Sequence, residues 1–492
     1  MKTVSKTIAP SPKKAKTTIA AVPAKLSQRI AQEIISDISR RDWPVGQLLG
    51  TESELMAKYK VSRATLAEAV RQVERHGVAV MKRGPRGGLT ITAPAATALS
   101  HTISTYLELS DVSIDEQFEA WRIIEVHACG VAARHISPEG VAALRDRLAR
   151  IDEAEDPLEY LRRCLAVRIA IADSTGNPAL ALFLRVLVRI LGWHVRIQTL
   201  PVNFGDAQQI RQDLGKIVEA IAVGDCAVAQ GVARMDLTTR RAGVQRLIDE
   251  GHAIAPTEAA GEQLWDENPA KLAEVTAQRI RDDIARLGWP LGRKLGDETE
   301  LLQRYGVSRW VLRQAIRTLE VHAIIRSKRG QRGGLIVGKP DPEHTIASAA
   351  AYLHHVRFTR SDLVDVWSHL LENVAPMAAL SSDRESKEAL LAQAAAAPSL
   401  KVGEIEEARR DFNRKLTGLS TNRVVALFVA ILTRFMADDY IDSLAPSETL
   451  SLLRQQFKVA QAVVAGDAGG ARRAMADYQE MGRRFYAMPL EA

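Results

Sequence analysis

Leu26, Ile30, Ile34, Ile35 and Ile38 fall on one face at helical spacing, which predicts an amphipathic helix over 26–41. Trp43-Pro44-Val45-Gly46 ends it. Thr51 stands three residues before Glu54, a capping-box pair that opens a short second helix. Tyr59-Lys60-Val61 reads as a tight turn, after which Ser62 caps a third helix. On that helix Leu66, Ala69, Val70 and Val73 point inward, while Arg63, Ala67 and Arg71 point outward. Two short apolar segments follow, around 78–81 and 89–92, joined by Lys82-Arg83-Gly84-Pro85-Arg86-Gly87-Gly88. They predict a β-hairpin with a basic tip, whose glycines allow positive φ and close approach of the backbone to a partner. Three helices and a basic hairpin make a winged helix-turn-helix.

The same pattern returns 246 residues later. Between Trp43–Leu89 and Trp289–Leu335, 24 of 47 positions are identical without a gap. Asp297 and Glu300 repeat the capping box, Gly306 stands in the turn, and Ser308 precedes Arg309, Arg313 and Arg317. Duplication and fusion explain this. After each module the pattern is helical, over 97–250 and 343–487, with punctuation such as Thr175-Gly176-Asn177-Pro178 and Gly224-Asp225. We read a mainly α, tandemly duplicated chain: a basic arm (1–25), a first winged helix-turn-helix (26–93), a first all-α bundle of six or seven helices (97–250), a linker (251–270), a second winged helix-turn-helix (271–338) and a second such bundle (343–487).

Charge sharpens the picture. The net charge is +7. Residues 1–25 hold six lysines and no acid, 26–92 hold 11 basic and 7 acidic side chains, and 271–338 hold 14 and 7. The rest must then be acidic, at −10. Positive charge gathered on two small modules and one tail points to polyanion binding by those parts, and the winged helix-turn-helix makes double-stranded DNA the expected partner. The arm, rich in Lys, Pro, Ala, Ser and Thr, is expected to be disordered and lacks the apolar core of a secretion signal. Cys129, Cys164 and Cys226 lie in apolar helical surroundings without metal spacing, as thiols buried in a reducing cytoplasm would. No apolar run reaches the roughly 20 residues of a bilayer span. We find no P-loop, G-x-S-x-G, H-E-x-x-H or dinucleotide fingerprint, and expect no enzyme.

Glu52, Glu54-Leu55, Val61-Ser62-Arg63, Ala69, Arg83-Gly84 and Gly87-Gly88, in order and twice, resemble the DNA-binding domain of the GntR family of bacterial transcription regulators. The resemblance implies DNA contacts through Ser62, Arg63, Thr65, Arg71, Lys82, Arg83, Arg86 and Gly87 in the first copy. In the second it implies Ser308, Arg309, Trp310, Arg313, Arg317, Lys328, Arg329, Arg332 and Gly333. The family's usual Pro-Ser-Glu-Arg at helix two reads Gly50-Thr51-Glu52-Ser53 and Gly296-Asp297-Glu298-Thr299, so that Arg is missing from both copies. Its second recognition-helix Arg is Arg313 in copy two and Ala67 in copy one, so copy two is expected to bind more strongly. Trp310 replaces a small residue and is expected to change base preference.

The bundles resemble the family's FadR-type effector domain (FCD) through Arg122-x-x-Glu125, Gly176-Asn177 and Ala220-Ile221-x-x-Gly224-Asp225. Many such domains hold a divalent metal. Its ligand positions fall here at Cys164, Arg168, Leu214 and Asp236, and in the second half at Arg409, Asn413, Gln456 and Tyr478, with no histidine near. We therefore expect no metal and no cofactor. Arg122, Arg168, Arg185 and Arg189 are expected to converge on an anionic effector, an organic acid or acyl derivative, because buried arginine suits carboxylate and phosphate. His369 and Asn413 are taken as the second-half counterparts of Arg122 and Arg168. The leading expectation is a cytoplasmic regulator, of repressor type, that binds operator DNA under metabolite control, acting as an intramolecular pseudo-dimer or as a homodimer. The alternative is an architectural DNA-binding protein without effector control.

Overall fold

The computed structural model describes residues 26–41, 43–82, 84, 87–94, 96–110, 112–194, 204–247, 249, 272–321, 323–328, 334–339, 342–399, 402–439 and 446–486. The basic arm and the 251–270 linker lie outside these residues. Internal contacts divide the chain into two compact units. One takes the described residues up to Glu74 together with Ala79–Ile91; the other takes Arg75–Val78 and the chain from Thr92 onward.

In the first unit α1 (Leu26–Ser39), α2 (Glu52–Tyr59) and α3 (Arg63–Arg75) enclose Ile30, Ile34, Ile38, Leu55, Leu66 and Val73. Thr51 caps α2: its hydroxyl accepts from Glu54 N at 3.4 Å, and Glu54 accepts from Thr51 N at 2.8 Å. Lys60 ends α2 in the left-handed region at φ 54°. The Tyr59 hydroxyl donates to Asp37 at 2.7 Å, tying α2 to α1. The hairpin strands β2 (Ala79–Lys82) and β3 (Gly88–Ile91) pair antiparallel, with Lys82 opposite Gly88. A third strand, β1 (Leu48–Gly50), pairs with the other edge of β3, so the sheet order is β1-β3-β2. Sequence pattern did not predict β1, because three residues are too few to show a period.

The second unit repeats that module: α11 (Leu272–Arg286), β4 (Lys294–Gly296), α12 (Glu298–Tyr305), α13 (Arg309–Val321), β5 (Ile325–Lys328) and β6 (Gly334–Val337). Tyr305 donates to Asp283 at 2.7 Å, and Gly306 takes φ 64° where Lys60 stands in the first copy. The first bundle comprises α4 (Ala96–Leu109), α5 (Ile114–His135), α6 (Pro138–Ala149), α7 (Pro157–Ser174), α8 (Pro178–His194), α9 (Phe204–Ala222) and α10 (Cys226–Leu247). The second bundle repeats the order: α14 (Pro342–His355), α15 (Arg360–Leu380), α16 (Arg384–Ala396), α17 (Val402–Gly418), α18 (Arg423–Asp439), α19 (Pro446–Ala465) and α20 (Ala468–Tyr486).

The two bundles share one hydrophobic core, running from Leu99 and Trp121 through Phe183 to Phe428 and Tyr478. Their contact is pseudo-symmetric. Phe183 and Phe428 stack with centroids 4.0 Å apart and planes 5° from parallel. Asn177 caps α8, its side-chain oxygen accepting from Ala179 N and Leu180 N, and its amide donates across to Asp362 O at 3.1 Å. Asn422 does the same for α18, accepting from Val424 N and Val425 N and donating to Glu116 O at 2.8 Å. Each bundle therefore fastens a helix start of its twin. Among the described residues no helix is long and apolar enough to cross a membrane.

Candidate nucleic-acid interface

The recognition helices α3 and α13 start on serine caps. Ser62 Oγ accepts from Thr65 N at 3.3 Å, and Ser308 Oγ accepts from Val311 N at 3.3 Å. Ser62 also shares a hydrogen bond with the Thr65 hydroxyl at 2.9 Å. Leu66 and Leu312 anchor the helices inward, which leaves Arg63, Arg71, Arg309, Trp310, Arg313 and Arg317 exposed.

A glutamate at the start of the preceding helix holds these arginines. Glu52 accepts from Arg63 in a two-pronged bond, 2.8 Å to Nε and 3.1 Å to Nη2, although the Arg63 side chain is 77% exposed. Its counterpart Glu298 is shared between Arg309 at 3.4 Å and Arg313 at 3.2 Å. Arg71 pairs with Glu68, whose counterpart in copy two is Gln314. The first face thus sets two arginines against two glutamates, and the second sets three arginines against one. The second face keeps a net +2 and the first none. Sequence reading missed Glu52 and Glu298 as positioning residues. Their signal was an acid shared by both copies, 11 residues before the capped arginine.

A second pair of glutamates sets the wing. Glu74 Oε1 accepts from Met81 N at 2.9 Å, and Glu320 Oε1 accepts from Ser327 N at 2.8 Å. Each fastens its hairpin to the end of its recognition helix. Lys82 and Lys328 sit exposed at the strand ends. Gly87 N donates to Gly84 O at 2.8 Å, closing the tip. Arg83, Arg86, Arg329, Arg332 and Gly333 lie outside the described residues. Gly88 and Gly334 have an internal reason: a Cβ there would stand 2.6 Å from Gly50 O and 2.5 Å from Gly296 O. Close backbone approach is real at these glycines, but the partner is the neighbouring strand.

Three of the four expected effector arginines hold protein partners. Arg168 is buried, 3% exposed, with its guanidinium bound to both Glu125 and Asp236. Arg185 pairs with Asp173 at 2.7 Å, and Arg189 bonds His101 at 2.8 Å. Arg122 is half-buried on α5. The correction has a plain cause, since a guanidinium already forked onto two carboxylates has no prong left for a ligand. Burial pushes Glu125 up, against the pull of Arg168. Burial also pushes the neighbouring Cys164 thiol up to about 12 and Cys129 well above its ordinary value. Arg240 adds a contact to Asp236 at 3.3 Å. The donors at the family's metal positions do not fit a metal, because Arg168 itself stands among them as a permanent cation.

At the equivalent positions the second bundle carries three neutral groups, Asn413, Gln456 and Tyr478, and one buried cation, Arg409. Gln456 donates to Tyr478 Oη at 3.1 Å and to Arg409 O at 3.3 Å, beside buried Asn413. The capping boxes Ser113–Glu116 and Thr359–Asp362 put α5 and α15 in register at 246 residues. Ser368, not His369, is therefore the counterpart of Arg122. His369 instead stands where the first bundle has Ile123, and it bonds Ile123 O at 3.1 Å.

Comparison with known proteins places these features. The family description "Bacterial regulatory proteins, gntR family" matches residues 26–88 and again 272–334, and the FCD domain matches 116–239. The chain is similar to the HTH-type transcriptional repressor NanR of Edwardsiella tarda, 28% identical over 176 residues, which are 35% of this chain and 66% of that protein. It is similar to the NanR of Salmonella bongori, 27% identical over 173 residues, covering 34% and 64%. The chain thus spans just under two thirds of the length of these relatives. A solved structure, Streptococcus agalactiae GntR, aligns with 20% identity and a TM-score of 0.35, covering 44% of this chain and 99% of that one.

Proposed function

We propose that this chain, which belongs to the gntR family of bacterial regulatory proteins, is a sequence-specific DNA-binding transcription regulator of repressor type that carries both reading heads of a dimer in one polypeptide. The observation that carries the reading is the serine-capped helix with outward arginines held by a glutamate, built twice. The N-terminal turn of such a helix reaches base edges and phosphates in the major groove, and a basic wing lies along the backbone or minor groove. Ser62, Arg63, Thr65, Arg71, Lys82 and Gly87, with Ser308, Arg309, Trp310, Arg313, Arg317 and Lys328, form the proposed contact set, extended by Arg83, Arg86, Arg329, Arg332 and Gly333 at the wing tips.

The single-chain dimer rests on the core shared by the bundles and on the reciprocal bonds of Asn177 and Asn422. In this arrangement each bundle covers the Asn177 or Asn422 face of its twin within the same chain. A cytoplasmic place follows from the DNA partner. Small-metabolite control belongs to the same proposal through the FCD domain. Its anionic class keeps one support, Arg122, because the other three arginines hold protein partners.

The test is binding of the full chain to duplexes selected from a random pool, across a salt series, with the mass of the complex measured. The expected result is one chain per operator, with affinity falling linearly in log salt as phosphate counterions are released. Arg309→Ala should cost roughly 1–3 kcal/mol and Arg63→Ala less, because only the second face has uncompensated charge. Equal affinity for unrelated duplexes would favour an architectural protein, and equal losses at the two arginines would sink the asymmetry.

A further inference from the structure

Trp310 is the second residue of α13, and its indole is 67% exposed. Among the described residues it has no hydrogen bond and no ring contact. Its counterpart in α3 is Ala64, which is also exposed. The two positions share a backbone setting, one residue past the serine cap, so packing inside the fold does not explain the larger side chain. A solvent-facing indole at this place points to an external partner.

The surroundings identify that partner. Arg309, Arg313 and Arg317 run along the same exposed surface, against the single acid Glu298. A protein surface covering the indole would have to bury these cations, at heavy desolvation cost. A nucleic acid offers phosphates to them and base edges to the indole. In the major groove the base edges are hydrogen-bonding groups, with one apolar feature, the C5-methyl of thymine. An indole laid over a G·C edge would strip water from donors and acceptors and replace it at one acceptor at most, through its single N–H. Laid over thymine, it buries a methyl group. Val311 and Leu312 point inward and fix the helix rotation that presents Trp310 outward.

We propose that Trp310 reads a thymine under the second head by packing its indole on the C5-methyl group, so that the chain recognises two unlike half-sites. This rests on the DNA-binding reading above. Ala64 is too short to make the contact, and Ala67 lacks the second arginine that Arg313 supplies. The half-site under the first head therefore carries no matching thymine requirement.

The experiment uses the full chain and a duplex selected from a random pool, in which each thymine is replaced singly by deoxyuridine. That change removes the methyl and leaves pairing intact. Loss of one buried methyl corresponds to about a fourfold weakening. The expected result is one thymine, under the second head, whose replacement weakens wild-type binding about fourfold and leaves Trp310→Ala unaffected, with the melting temperature of that variant unchanged. Ala64→Trp should create a similar dependence in the other half-site. A selected duplex that binds tightly with no methyl-sensitive thymine overturns the proposal and leaves the regulator reading intact. The same loss in Trp310→Ala overturns it too, since another residue would then read the methyl. Failure to select any preferred duplex overturns both.

Discussion

Arg168 shows what a single buried side chain can settle. It bonds two carboxylates drawn from two other helices, Glu125 on α5 and Asp236 on α10, all three nearly without solvent. Removing one partner of a buried ion cluster leaves uncompensated charge and costs about 3–5 kcal/mol, whereas exchanging the whole cluster for neutral groups can be neutral. Arg168→Met should therefore lower the stability of the first bundle by about 3–5 kcal/mol, read as a lowered melting temperature of the full chain. The triple variant Glu125→Leu, Arg168→Asn, Asp236→Tyr, which installs the residues of the second bundle at these three positions, should regain part of it, because Arg240 is left without Asp236. A single variant as stable as wild type would refute the compensating role. The family resemblance set Arg168 and Asp236 at one place, as metal-ligand positions, but marked Glu125 apart and did not show the three meeting as an ion cluster. They are 43 and 68 residues apart along the chain, and only the crossing of helices joins them. For the same reason Arg122, Arg168, Arg185 and Arg189 read as one cluster, whereas Arg168, Arg185 and Arg189 each hold different protein partners.

At the scale of the element, the twin modules test each other. Gly334 takes φ 148°, and a Cβ there would stand 2.5 Å from both Gly296 O and Lys294 Cε. Backbone cannot yield as a side chain can, so Gly334→Ala should force β4 and β6 apart and destabilise the module by about 1–3 kcal/mol. Gly306→Lys should cost under about 1 kcal/mol, because Lys60 already occupies that left-handed turn at φ 54°. Thermal melting of both variants decides it, and a Gly334→Ala melt equal to wild type would remove the close-approach argument. The helices and their caps were legible because apolar spacing and Thr51–Glu54 or Asp297–Glu300 are local signals. The third strand was not, since Leu48–Gly50 is ordered by pairing with β3 and carries no pattern of its own.

The whole molecule depends on how its two bundles meet, and there sequence was least informative. Asn177 read as loop punctuation, and nothing in a helical period separates a face buried in its own bundle from one buried against a twin. The seam is also where ionisation should matter. Burial opposes the charge on Glu116, but hydrogen bonds from the Arg423 side chain, from Arg423 N and from Ser113 outweigh it and hold its carboxyl at about 2. Packing into the seam, with His127 stacked 4.1 Å away, pushes His369 down to about 3, against the pull of Asp365 and of its bond to Ile123 O, while Arg472 adds to the depression. Both folded-state values lie below the ordinary ones, so both contributions are complete above the ordinary value and fade as pH falls. For His369 the window runs from 6.5 down to about 3, and for Glu116 from 4.5 down to about 2. Melting of the full chain should therefore begin to fall below about pH 6.5 and steepen below about 4.5. His369→Asn should flatten the upper part of that fall, and Glu116→Gln the lower part. Because the two windows overlap only below 4.5, a His369→Asn chain whose melting temperature still drops between pH 6.5 and 5 would place the acid sensitivity outside the seam.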